Sequence, residues 1–289
     1  MTRLIIRHET RYDYDRPVRF GPHRLLVRPR DSHAMRLVDA SLELSPPGDT
    51  RWVYDAMSNC VCWFTPRGEA SQLRIVSNLT IDRYPSPLAP IEPDDPKSVF
   101  PLVYGEPDRA VLGPFIAPAT TDPTDGVLTW MRAHLHAPDE RVLDVLSRIN
   151  SAIHRDFEYG VRDEEGTQEP MDTIERRAGT CRDFAWLMVE AVRRLGCAAV
   201  FVTGYLYSPN LAWRGAGATH AWCEAFLPGL GWIEFDPTNG LVESPDLIRV
   251  GATRTPAEAA PVAGNVIGET WNAQLAVSVD VQLDERAAA

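Results

Sequence analysis

The chain has 289 residues, 44% of them hydrophobic and 24% charged, and its formal net charge is −11 at pH 7. This composition is typical of a soluble globular protein with one large domain or two modest ones. The negative charge argues against nucleic acid as a substrate. No apolar run approaches the roughly 18 residues that a membrane helix needs. Residues 1–8 do not resemble a signal peptide, so we expect a cytoplasmic protein with no membrane partner.

The five cysteines are too sparse for a disulfide framework, and their number is odd. Cys60 and Cys62 form a C-x-C pair, but no second pair of cysteines or histidines completes a zinc site. We therefore predict that both residues are buried and structural. Neither a metal ion nor another cofactor is expected.

Residues 1–84 predict an N-terminal all-β domain. Short runs of alternating polar and apolar residues are separated by Pro, Gly and Asp, which is typical of a small sandwich or barrel. The predicted strands lie at residues 3–7, 23–27, 37–44, 60–64 and 73–80. Residues 85–125 follow as a connector, in which closely spaced prolines between 85 and 96 stiffen the chain.

Residues 126–245 predict a core of helices followed by an antiparallel sheet, and the whole chain is therefore assigned to the α+β class. Helical periodicity marks residues 127–131, 142–153 and 173–177, and a longer apolar stripe runs from 181 to 195. Strands are predicted at 198–207, 219–226 and 231–236. Residues 246–289 form a C-terminal extension, and we expect its strands to pack on the core or on the N-terminal domain.

Cys181 opens the longest predicted helix of the core, within the phrase Gly-Thr-Cys-Arg-Asp-Phe-Ala-Trp at residues 179–186. Thr180 suits the N-cap position, so the thiol falls in the first turn. There the unpaired N–H groups and the helix dipole favour a thiolate, and the same groups can donate to an oxyanion. Because Cys181 also lies on the apolar stripe of the helix, an ordinary core cysteine is the alternative interpretation.

His220 and Asp236 lie in the two strands of a predicted hairpin. With Cys181 they supply the thiol, imidazole and carboxylate that acyl transfer through a thioester requires. A turn centred on Pro228 places His220 directly across from Asp236, which suits a carboxylate that orients an imidazole. A register shift of one residue would put the two side chains on opposite faces. Cys181, His220 and Asp236 are therefore the candidate nucleophile, base and orienting carboxylate.

Three phrases, at residues 179–185, 219–222 and 231–239, resemble those of the bacterial transglutaminase-like superfamily. That family has a papain-like core in which the helix bearing the cysteine packs on an antiparallel sheet. Residues 12–30 are similar to the β-domain that precedes this core in a large bacterial subfamily. The resemblance implies a cysteine nucleophile at Cys181, a histidine base at His220 and an aspartate at Asp236.

Two positions depart from the pattern of the family. The family commonly has glutamine directly after the cysteine and histidine at the fifth position beyond it, where this chain has Arg182 and Trp186. Neither position belongs to the triad, but both can affect which substrates enter the cleft. For a second oxyanion donor, Tyr159 and Trp222 are the candidates.

The resemblance implies a cysteine-dependent reaction on a peptide or protein amide or isopeptide. Members of the superfamily include cross-linking enzymes, proteases or amidases, and inactive scaffolds. We expect hydrolysis, and the alternatives are transfer of the acyl group to an amine and a non-catalytic peptide-binding or scaffold role. A thiol beyond the reach of any ligand would favour the last of these. The sequence holds no EF-hand pattern, so calcium dependence is not expected.

Overall fold

The computed structural model describes residues 1–84, 99–160, 162, 164, 166–209, 213–268 and 272–285. Within them, an N-terminal antiparallel sheet precedes a group of helices and a second antiparallel sheet. The predicted α+β class is thereby confirmed. The closely spaced prolines of the predicted connector lie outside the described residues.

The N-terminal sheet is built around one long strand. Its five consecutive strands are β1 (Thr2–Arg28), β2 (Met35–Ser45), β3 (Gly48–Tyr54), β4 (Cys60–Pro66) and β5 (Glu69–Arg83). They lie in the order β2-β5-β1-β4-β3, and every pair is antiparallel. The first part of β1 pairs with β5 and its last part with β4, so β1 is the centre of the domain.

Two features of this sheet differ from the prediction. The strands predicted at 3–7 and 23–27 are parts of the single strand β1, whose register shifts between Asp13 and Val18. Pro17 falls in that irregularity, where a strand tolerates a residue without an N–H group, so the proline does not end the strand. Strand β3 was not predicted, because it is an edge strand whose side chains are mostly exposed and show no buried alternation.

The core contains five helices and seven strands within the described residues. The helices are α1 (Glu106–Ile116), α2 (Gly126–Arg132), α3 (Val142–Asp156), α4 (Pro170–Arg176) and α5 (Cys181–Arg194). The strands are β6 (Glu158–Tyr159), β7 (Ala178–Gly179), β8 (Ala199–Leu206), β9 (His220–Leu227), β10 (Gly231–Asp236), β11 (Leu241–Val242) and β12 (Leu247–Thr253). None of the described helices is long and apolar enough to cross a membrane.

Helix α5 is the central helix of the core, and it packs on a five-stranded sheet in the order β11-β10-β9-β8-β12. Its side chains Phe184, Leu187 and Met188 are fully buried, as the apolar stripe predicts. They join one hydrophobic cluster with Phe201 and Phe235 of the sheet. This packing fixes the first turn of α5 relative to the strands that carry His220 and Asp236.

The C-terminal segment joins the two sheets. Strand β12 lies beyond residue 245 and completes the core sheet by pairing with β8. Strands β13 (Val262–Ile267) and β14 (Ala273–Leu283) return to the N-terminal domain and pair with β1. Between the sheets, Leu4 and Ile6 of β1 share a buried cluster with Tyr205 and Ile248 of the core.

Candidate active site

The first turn of α5 holds Cys181 in place through a buried carboxylate. Asp183 accepts hydrogen bonds from the N–H of Thr180 at 2.8 Å and from its hydroxyl at 2.9 Å. It also accepts the N–H of Gln168 at 2.7 Å and Nε of Arg162 at 2.9 Å. Burial alone would raise the pKa of Asp183, but these donors lower it. The helix therefore begins at Cys181 with a fixed, ionised partner for its N-terminus.

Cys181 lies at the border between the hydrophobic core and the candidate site. The residue keeps 7% of its surface exposed and contacts the cluster that contains Phe184. Its thiol also interacts electrostatically with the imidazole of His220 and with the phenol of Tyr159, and it raises the pKa of both groups. The structure thus brings the predicted nucleophile and base together, and it adds Tyr159 to them.

The β9–β10 hairpin brings His220 and Asp236 together, but in a different register from the one predicted. Leu227 pairs with Gly231 across the turn, so the turn centres one residue beyond Pro228. The predicted direct opposition of His220 and Asp236 is therefore wrong, and the two residues are diagonal neighbours. Because the register differs by two residues, both side chains stay on the same face. Nε2 of the imidazole reaches Oδ2 of the carboxylate at 2.8 Å.

Asp236 is buried and fully hydrogen-bonded. Its Oδ1 accepts the N–H of Thr238 at 2.9 Å, and its Oδ2 accepts Nδ2 of Asn239 at 2.9 Å. Burial raises the pKa of Asp236, but His220 and these amide donors lower it overall. Burial lowers the pKa of His220, yet the carboxylate outweighs burial and raises that pKa to about 10. The pair is therefore an imidazolium and a carboxylate at neutral pH.

The second ring nitrogen of His220, Nδ1, faces the reacting side of the site. It is buried and has no hydrogen-bond partner among the described residues. A Cβ atom placed on Gly215 would lie 3.0 Å from this nitrogen and 3.3 Å from the hydroxyl oxygen of Tyr159. The backbone at Gly215, the phenol and the thiol of Cys181 thus surround the nitrogen that exchanges a proton in a cysteine–histidine mechanism.

Of the two predicted oxyanion donors, Tyr159 is the one whose phenol interacts with the thiol of Cys181. Strand β6 pairs in parallel with β7 and sets Tyr159 beside Gly179, two residues before Cys181. Burial, together with the nearby thiol, raises the pKa of Tyr159 to about 12, so its hydroxyl keeps its proton. Trp222 instead packs beside the imidazole, with ring centroids 6.2 Å apart, in an apolar cluster with Val202.

A cavity of about 650 Å³ lies away from these residues. It is bordered by Arg30 of the N-terminal domain and by Glu224, Trp232 and Arg249 of the core sheet, and no member of the triad lines it. The candidate active site is therefore separate from this cavity. Among the residues that the structure describes, no cluster of three or more His, Cys, Asp or Glu side chains is arranged to hold a metal ion.

Both parts of the chain match known protein families. Residues 4–82 match the bacterial transglutaminase-like N-terminal region. Residues 132–237, which contain Cys181, His220 and Asp236, match the transglutaminase-like superfamily. The chain thus carries a transglutaminase-like core preceded by a bacterial transglutaminase-like N-terminal region. The resemblance inferred from the three sequence phrases is thereby confirmed.

Relatives of this transglutaminase-like chain extend over most of its length. An uncharacterized protein of Mycobacterium tuberculosis is 28% identical over 297 residues, covering 96% of this chain and 92% of the relative. An uncharacterized protein of Mycobacterium leprae is 24% identical over 274 residues, covering 91% of this chain and 93% of the relative. A solved structure from Cytophaga hutchinsonii, named a "putative cysteine protease", is 21% identical with a TM-score of 0.72 and covers 98% of this chain and 91% of that one. The fold is therefore shared over most of the chain.

We expect iodoacetamide to label Cys181 before the other four cysteines at about pH 6. Cys181 opens helix α5 beside the imidazolium of His220, and cysteines in such electropositive, partly accessible surroundings react fastest. Burial raises the pKa of Cys60 and Cys223, and it raises the pKa of Cys62 to about 11 and of Cys197 to about 12. Mass spectrometry after brief labelling measures the order. Equal or slower labelling of Cys181 would favour the interpretation of an ordinary core cysteine.

Proposed function

We propose that this transglutaminase-like protein cleaves an amide or isopeptide bond of a peptide or protein through a thioester on Cys181, with water as the usual acyl acceptor. The observation that carries the proposal is the fully buried His220–Asp236 pair, whose other ring nitrogen lies on the side of the thiol. The match of residues 132–237 to the transglutaminase-like superfamily supports the coarser statement that the reaction depends on a cysteine.

In the first half of the reaction, the thiolate of Cys181 attacks the carbonyl carbon of the amide, and the electron pair of the C=O bond moves to the oxygen. The tetrahedral intermediate then collapses, and the imidazolium of His220 gives its Nδ1 proton to the departing nitrogen as the C–N bond breaks. An amine leaves and a thioester remains. Asp236 stays ionised throughout and holds the ring through Nε2.

The oxyanion is stabilised by donors that are already in position. The N–H groups of Cys181 and Arg182 lie in the first turn of α5, where a helix provides no acceptor for them. The hydroxyl of Tyr159, which lies near the thiol, adds a further donor. Because these dipoles do not have to reorganise as charge develops on the oxygen, they lower the barrier more than water would.

In the second half, neutral His220 takes a proton from water as the water oxygen attacks the thioester. Collapse of the new intermediate expels the thiolate, releases the carboxylic acid and restores the imidazolium. An amine in place of water would give transfer. Water is present at roughly 55 M and competes for every thioester, so a transferase must exclude it while holding an amine. No sequence feature marks an amine-binding pocket, and we therefore favour hydrolysis.

The proposal is tested by offering a glutamine-containing peptide with and without a primary amine, followed by peptides with other amide and isopeptide bonds. We expect release of the free acid to exceed incorporation of the amine at millimolar amine, because no recognisable sequence feature marks a pocket that would hold the amine. Mass spectrometry of the products distinguishes the two. Amine incorporation that outpaces acid release would assign transfer. Failure to turn over any acyl donor would favour a binding or scaffold role.

A further inference from the structure

Asn239 joins the Asp236–His220 pair to a neighbouring loop. Its Nδ2 donates to Oδ2 of Asp236 at 2.9 Å and to the carbonyl oxygen of Arg214 at 3.2 Å. Its Oδ1 accepts the N–H of Arg214 at 2.8 Å. One nearly buried amide, 7% exposed, therefore binds the catalytic carboxylate and both backbone groups of a single loop residue.

The loop held in this way contacts the reacting side of the imidazole. Gly215 follows Arg214 directly and has a φ of +84°, a conformation that favours glycine. Its backbone lies so close to the ring that an added Cβ would be 3.0 Å from Nδ1 of His220. A shift of Arg214 would therefore change the space around Nδ1, where the proton is exchanged with Cys181.

We propose that Asn239 is a positioning residue of the active site: its amide orients Asp236 against Nε2 of His220 and holds the Gly215 backbone at Nδ1. This inference rests on the proposed cysteine-dependent reaction. The side-chain hydrogen bonds of Asn239 go to Asp236 and Arg214 and not to the ring itself. Asn239 acts through Asp236 on one nitrogen and through the loop on the other, and so it couples the two sides of the imidazole.

Asparagine fits this position better than aspartate or alanine. Oδ2 of Asp236 already accepts Nε2 of His220, and a neutral amide adds a second donor without adding charge. A carboxylate at residue 239 would repel Asp236 and could not donate to the carbonyl of Arg214. Alanine would leave the N–H and C=O groups of Arg214 without these partners.

The chain offers a matched control in Asn59, which makes the same pattern of bonds away from the triad. Nδ2 of Asn59 donates to Oδ2 of Asp55 at 2.9 Å and to the carbonyl of Ala252 at 2.7 Å, and its Oδ1 accepts the N–H of Ala252 at 2.9 Å. Asn59 is 4% exposed. N59A thus removes equivalent hydrogen bonds. Its effect on the alkylation rate measures what the loss of such bonds does when they do not contact the triad.

The test compares wild type, N239A, N239D and N59A by the rate of Cys181 alkylation with iodoacetamide across the pH range. We expect N239A to lower the rate at about pH 6 by about 10- to 100-fold, the size expected for a hydrogen bond to a charged group. The fall in alkylation rate that acid causes should begin at a higher pH in N239A than in wild type. The reason is that Asn239 helps to keep the pKa of Asp236 low. N59A should stay within about twofold of wild type.

N239D provides a second signature if N239A folds poorly. When ionised, Asp at 239 repels Asp236, but when protonated it can donate a hydrogen bond as the amide does. The rate of N239D relative to wild type should therefore rise as the pH falls. An alkylation rate of N239D that is reduced by the same factor at every pH would overturn the positioning role. So would a dependence of alkylation rate on pH that is the same in N239A and N59A. Wild-type Cys181 that shows no preferential labelling would instead overturn the proposed reaction.

Discussion

Replacing Cys181 by alanine is expected to abolish turnover, with a loss of at least about 10⁴-fold in the rate of acyl-donor cleavage. The proposed mechanism forms its covalent intermediate on this sulfur, and neither His220 nor Asp236 can replace it as the nucleophile. The fold should persist. The change removes one sulfur from a position at the edge of the core, 7% exposed, and costs about 1 kcal/mol of the free energy of unfolding. Product formation followed by mass spectrometry, with urea unfolding in parallel, measures both effects.

Cys197→Ala is the matched control for this experiment. Cys197 follows α5, belongs to the same hydrophobic cluster as Cys181 and is fully buried. Its loss should lower stability by about 1–2 kcal/mol and leave turnover within about twofold of wild type. Equal loss of turnover in both variants would indicate general damage to the core, and retained turnover in C181A would refute the nucleophile.

The local parts of the site follow directly from the sequence. The N-cap at Thr180 and the apolar stripe of the helix predict the start of α5 at Cys181, and the structure has it there. The alternation of polar and apolar residues in the hairpin predicts a shared face for His220 and Asp236. It could not predict their register, because Pro228 and Gly229 both suit a turn and only tertiary packing selects between the two pairings.

The parts of the site that come from distant segments were harder to predict. Arg214 and Gly215 carry no recognisable spacing to Asn239, and they meet it only after the loop has packed against the hairpin. Asp183 is a different case. An acidic residue three positions after an N-cap threonine is a known capping pattern and could have been identified. Its partner Arg162 could not have been identified from the sequence, since the contact between Arg162 and Asp183 depends on how β6 and β7 pair.

Replacement of Asp236 by asparagine is expected to give a loss of stability that depends on pH. In the wild type, the pKa of His220 is raised from 6.5 to about 10. The charged ring therefore adds its full contribution to the free energy of unfolding below pH 6.5, and this contribution disappears as the pH rises toward 10. The pKa of Asp236 is lowered from 3.8, so its contribution is present above that value and disappears in acid. D236N should therefore cost most between about pH 4 and pH 6.5, by about 3 kcal/mol.

A histidine elsewhere in the chain indicates what His220 becomes without its carboxylate. His8 is almost as deeply buried, and its ring nitrogens bond the hydroxyls of Tyr205 and Thr10, with no acidic partner in the part of the chain that the structure describes. Burial lowers the pKa of His8 to about 4. In D236N the imidazole should likewise be neutral at pH 6, and a neutral ring cannot stabilise the thiolate of Cys181.

Alkylation of Cys181 in D236N near pH 6 should therefore slow by about 10²-fold or more, and turnover should fall by about 10²- to 10⁴-fold. Urea unfolding of wild type and variant at about pH 6 and again near pH 9.5 measures the difference in stability. It should shrink at the higher pH, because about pH 9.5 is far above the ordinary pKa of histidine and close to the raised pKa of His220, where protonation of the ring contributes little to stability. A difference of the same size at both values would show that Asp236 stabilises the fold by packing and hydrogen bonding alone. The raised pKa of His220 would then no longer explain a thiolate at Cys181.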